Sequence, residues 1–108
     1  MTYRVELTGR ADRDLDILYV YVEKNATDSP AATRWYNGIE EAVYSLESFQ
    51  HRCPVAREGQ KSGRLLRHLM NGQKPHVYRV IYEIDEHRKL VTVFTIWHVA
   101  RKPAAFEE

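Results

Sequence analysis

A chain of 108 residues, 44% hydrophobic and 11% aromatic, forms one domain with enough apolar side chains for a modest core. It has no apolar run near the ~20 residues that cross a bilayer and no apolar leader near Met1, and 29% of its residues are charged, so a soluble, cytoplasmic protein is expected. A net charge of +1 argues against an autonomous nucleic-acid binder, and Cys53, the single cysteine, excludes an internal disulfide.

Thr2 to Leu7 alternates with a β-branched bias and reads as a first strand. Thr8 then caps a helix whose apolar positions Ala11, Leu15, Leu18, Tyr19 and Val22 recur at helical spacing. Asn25-Ala26-Thr27-Asp28 ends it, and Ser29-Pro30 opens a second helix. Serine there accepts a backbone bond, and proline at the first helical position gives up no needed donor. Trp35, Ile39, Ala42, Val43, Leu46 and Phe49 form one apolar stripe, which reads as core.

His51 to Gly63 is polar and irregular, a surface loop of the kind that carries function. Arg64 to Met70 reads as a second strand, and Asn71-Gly72 is a turn signal. Pro75 suits the loop before a third strand, His76 to Asp85. Glu86 to Lys89 is a charged turn, Leu90 to Trp97 a fourth strand, and the stretch after Arg101 a loose tail. The expected fold is therefore α+β, one domain over residues 1–108. A small antiparallel-rich sheet of about four strands carries an N-terminal two-helix hairpin on one face.

Charge is distributed unevenly. Residues 1–50 hold five Lys or Arg against nine Asp or Glu, and residues 51–108 hold eleven against six. A basic second half suits an anionic partner; equally, acidic helices lying beside a basic sheet give the same pattern. Strand alternation puts Tyr78, Val80, Tyr82 and Ile84 on the helix-packed face and Val77, Arg79, Ile81 and Glu83 on the open face. Arg67 on the second strand is expected beside Arg79, with His98 at the end of the fourth strand. The plainer alternative is that Arg79 pairs with Glu83 on the surface. The histidines and Cys53 are too scattered for zinc spacing, the glycines make no phosphate loop, and no nucleophile elbow is present. No metal or cofactor is expected.

The segment Tyr78-Arg79-Val80-Ile81-Tyr82-Glu83-Ile84-Asp85, then a turn, then Val91 to His98 and Arg101, resembles the closing strand pair of the RelE/ParE toxins of type II toxin–antitoxin, or plasmid stabilisation, systems. The order of one strand, two helices and further strands is similar. So are Ser45-Leu46 closing the second helix, the Cys53-Pro54 linker, Glu58 and the approach from Arg64 to Arg67.

The resemblance implies a toxin neutralised by a cognate antitoxin, with operator DNA bound only through that antitoxin. RNA-cleaving members use the RNA's own 2′-hydroxyl, a base, an acid and fixed positive charge. On paper, His98 supplies the acid or base, and Arg79, Arg67 and Arg101 the charge. Such members often carry a tyrosine near the C-terminus or a lysine cluster; this chain has no tyrosine after Trp97, and only Lys61 in its loop. That departure favours the ParE type, which binds DNA gyrase, over the ribosome-dependent mRNA endonuclease. A homologue that has lost toxicity and only binds antitoxin is a third reading. Val77 and Ile81 on the open face, with Arg101 and Phe106 in the tail, are the expected antitoxin or target anchors.

Overall fold

The computed structural model describes residues 2–25, 29–60, 63–73 and 76–98. Strand β1 (Arg4–Leu7) leads into helices α1 (Gly9–Asn25) and α2 (Ser29–Tyr44), then a short α3 (Leu46–Phe49). Strands β2 (Leu66–Gln73), β3 (His76–Asp85) and β4 (Leu90–His98) complete a four-stranded sheet of order β1-β4-β3-β2. The β2–β3 and β3–β4 pairs are antiparallel and β1–β4 is parallel, so the sheet is mixed. None of the described helices is long and apolar enough to cross a membrane.

Thr8 makes the turn from strand to helix. Its Oγ1 accepts from the Ala11 amide at 3.1 Å, as an N-cap does, and donates to the Phe94 carbonyl at 2.9 Å. The helix start is thereby tied to β4. Further along α1, Asp14 reaches the edge of β4 beyond the end of β1, where its carboxylate accepts from Thr95 Oγ1 and from the Ile96 amide at 3.2 Å. An edge amide that would otherwise be open is satisfied by a side chain. Ala11, Leu15 and Leu18 of α1 join Ile39 and Val43 of α2 over Tyr78, Val80, Tyr82, Val91, Val93 and Ile96, and that is the main core.

Two boundaries differ from the sequence reading, while the second helix closes where the resemblance implies. The apolar stripe from Trp35 to Phe49 is divided between α2 and α3. Ser45 Oγ donates to the Ala42 carbonyl at 2.6 Å, and this local bond competes with the helical ladder and ends α2. Asn71-Gly72 is no turn: both lie within β2, opposite Tyr78 and Val77, and Gly72 takes φ 107°. Burial of Leu66 opposite Glu83 and the pairing of Leu69 with Val80 hold that register, and the strands stay paired out to Gln73 and His76. The first strand begins at Arg4, because the Tyr3 amide bonds instead to the Glu47 carbonyl at 2.8 Å.

One irregularity shapes the far face. Ile81 pairs with Thr95 and Tyr82 with Val93, so Phe94 is an extra residue in β4. At the opposite end of the strands, Tyr3 donates to Glu86 Oε2, and His51 Nε2 meets Glu86 Oε1, each at 2.5 Å. This cluster joins the start of the chain, the end of α3 and the β3–β4 turn.

Candidate functional site

Two surfaces gather side chains able to act on a partner. The first is the sheet face turned away from the helices. Arg79 stands opposite Met70 and Trp97, and its Nε donates to His68 Nδ1 at 3.1 Å. An arginine only donates, so His68 must accept at Nδ1, and its ring is neutral with the proton on Nε2. Beside this pair, Arg64 makes a two-pronged contact with Glu83, at 3.1 and 2.8 Å, and stacks 4.7 Å from the Phe94 ring centroid. The Glu83 carboxylate is engaged by Arg64, which answers the sequence expectation of an Arg79–Glu83 pair with a different partner.

Arg67 is not beside Arg79. It pairs in register with Tyr82, on the helix-side pleat, and its Nη1 donates to the Cys53 carbonyl at 2.8 Å and the His51 carbonyl at 3.5 Å. The expectation that it would join the open-face cluster is corrected: β2 and β3 pair with Arg79 opposite Met70, which places Arg67 on the other parity. Ile81 is corrected too. It does point away from the helices, but it is fully buried in a small second cluster with Ala56 and Leu66, flanked by Phe94 and Trp97. The segment that includes Ala56 covers it. Val77 is half-buried, opposite Gly72. His98 closes β4, opposite Tyr78. Arg101 and Phe106 lie outside the described residues, and Glu58 falls in the 3-10 turn Arg57–Gly59.

Sequence reasoning did not single out His68 or the Arg64–Glu83–Phe94 cluster. The signal for His68 was available only with the register: it sits diagonally from Arg79 across β2 and β3, within reach of a long side chain.

The second surface is a groove of about 540 Å³ between α1 and α2, lined by Asp16, Tyr19, Val20, Thr33 and Tyr36. Tyr19 and Tyr36 meet edge to face, 5.5 Å apart, and floor it with aromatic surface. Ile17, one turn before Val20 on α1, is 57% exposed. The Tyr36 hydroxyl is pushed above its ordinary range, first by burial and then by the carboxylates of Glu40, Asp16 and Asp12. The groove is thus apolar at its floor and acidic at its rim.

A family model described as the ParE toxin of the type II toxin–antitoxin system parDE matches residues 5–103. Among solved structures, a chain of the chromosomal ParDE system from P. aeruginosa aligns with a TM-score of 0.67 at 18% identity, covering 91% of this chain and 97% of that one. A chain of the RelBE2 toxin–antitoxin complex from Mycobacterium tuberculosis aligns at 0.61 and 23% identity, covering 91% and 99%. The intact E. coli RelBE complex contributes a chain at 0.53 and 15% identity, covering 92% and 99%. At these identities the likeness bears on the fold. No curated protein matches significantly.

Proposed function

The chain belongs to the ParE toxin family of type II toxin–antitoxin systems, and on that premise we propose that it binds DNA gyrase, blocks its cycle, and is neutralised by a cognate antitoxin. The observation that carries this choice of target is the position of Arg67. Metal-free RNA cleavage needs a base, an acid and fixed positive charge converging on one phosphate. Arg67 is on the opposite pleat from Arg79, and its guanidinium is engaged by two backbone carbonyls. Of the arginines expected to act together, the two within the described residues are divided between the faces of the sheet, which supports a protein-binding toxin with no catalysis of its own.

The antitoxin is assigned to the helix groove and the open sheet face. An amphipathic helix with basic residues along its apolar stripe fits the aromatic floor and acidic rim of the groove. Operator DNA is bound through the antitoxin, because the helical half of this chain is net acidic.

A second reading, a ribosome-dependent mRNA endonuclease, is favoured by one contact. Arg79 holds the His68 ring on the open face, a cation beside an Nε2–H able to donate to a phosphate. The deciding experiment runs purified toxin in a gyrase supercoiling assay beside cell-free translation with purified ribosomes. Inhibited supercoiling with intact mRNA is the expected result, and it persists in His98→Ala. Codon-dependent mRNA cleavage that is lost in Arg79→Ala, His68→Ala or His98→Ala overturns the gyrase reading; loss of one positioned acid or base costs about 10²–10⁴ in rate. Neither effect at micromolar toxin means a homologue that binds antitoxin without toxicity.

A further inference from the structure

We propose that Gln50 to Gly59 is a strap that opens as a unit while the helices and the four-stranded sheet stay intact, uncovering Leu66, Ile81 and the outer edge of β2. The strap occupies the place of a fifth strand. The Ala56 amide donates to the Leu66 carbonyl at 2.7 Å and the His68 amide to the Pro54 carbonyl at 3.1 Å, on either side of a single antiparallel bridge between Val55 and Arg67. An added partner strand on this stretch of β2 needs the same Leu66 and His68 groups, so it meets them only after the strap has left.

The strap is fastened mainly by polar contacts, among them His51 Nε2 to Glu86 Oε1 and the Gly59 carbonyl, which accepts from the Arg64 amide at 3.0 Å. Arg67 holds the carbonyls of His51 and Cys53, and the Tyr82 hydroxyl donates to the Gln50 carbonyl at 2.6 Å. Its buried apolar side chains are small: Cys53 is 5% exposed and Ala56 1%. Val55, its largest apolar side chain, faces solvent at 51%. Gln50 is buried, yet its Oε1 has no hydrogen-bond partner among the described residues, a cost that opening relieves. Opening breaks these polar contacts and the small cluster of Ala56, Leu66 and Ile81 but leaves most of the main core packed, so it costs less than global unfolding. A partner that reads Ile81 or the β2 edge therefore selects the open form.

Cys53 makes this testable in the native chain, because it is the single cysteine and lies within the strap. Its labelling by an aromatic disulfide reagent is followed in increasing urea, beside global unfolding by circular dichroism. The expected result is labelling through an opening more populated than global unfolding and nearly independent of urea, with the dichroism spectrum retained. Arg67→Ala is expected to speed labelling about tenfold or more, beyond its effect on global stability, as loss of a charge-assisted bond to the strap requires. Arg67→Lys should restore part of the protection. Labelling that follows global unfolding in both free energy and urea slope overturns the proposal. So does labelling at the rate of a free thiol, and so does an Arg67→Ala effect no larger than its loss of global stability.

Discussion

Arg67 and Arg79 have the same chemistry and opposite placements. Arg67 ties the loop after α3 to the sheet through backbone carbonyls, and Arg79 orients a histidine on the far face. Parity decides this: Arg67 pairs with Tyr82 and Arg79 with Met70, and the register that sets those pairs was not visible while Asn71-Gly72 read as the turn. Glu86 allows a test at the same scale. Hydrogen bonds from Tyr3 and then His51 hold its carboxyl below the ordinary 4.5. A carboxylate with a depressed folded-state value stabilises the fold above 4.5, and that contribution fades as pH falls through the lower value. Glu86→Gln is therefore expected to lower Tm slightly at pH 7, with the gap to the parent closing in acid below 4.5. A gap that stays constant from neutral pH into that acid range would show that the cluster contributes no pH-dependent stability. The measurement is a series of thermal melts across that range.

At the scale of elements, the periodic segments were legible and their joints were not. The capping residue Thr8 and the buried positions Ala11, Leu15 and Leu18 were readable because helix capping and helical spacing are local properties. The break at Ser45-Leu46 was legible only through the resemblance, since periodicity gives no sign of which carbonyl a serine will choose. Thr8→Ala removes both the cap and the bond to Phe94, and an expected loss of about 1–2 kcal/mol follows, read from urea midpoints. Gly59 is where the 3-10 turn comes closest to the start of β2. A Cβ there would lie 2.3 Å from the Arg64 carbonyl oxygen and 2.9 Å from Leu66 Cγ. Gly59→Ala is expected to cost roughly 1–3 kcal/mol by forcing the turn off the sheet. An unchanged midpoint would mean that the turn shifts freely.

For the whole molecule, both helices and the sheet share one core, so removing a side chain from its centre should weaken all of it. Ile39 is fully buried between α2 and the sheet. Ile39→Ala is expected to cost about 2–5 kcal/mol, with fluorescence and circular dichroism losing signal in a single shared transition. Partner binding belongs to this scale too. A cognate antitoxin at saturation should raise Tm by mass action, and Val20→Asp, at the 46%-exposed wall of the groove, should weaken that shift while leaving the free toxin's Tm unchanged. An antitoxin that leaves Tm unchanged at saturation would remove the groove and the open face as its binding surfaces.

The sequence alone determined the class of fold, the order of elements, the inward row Tyr78, Val80 and Tyr82, and the kinship with RelE/ParE toxins. Each rests on local periodicity or on motifs in order along the chain. Only the tertiary structure decided that Arg67 faces away from Arg79, that His68 contacts Arg79, and that Ile81 lies under a strap. All three depend on pairing between segments distant in the chain, and a one-residue change of register would exchange every inward side chain for an outward one.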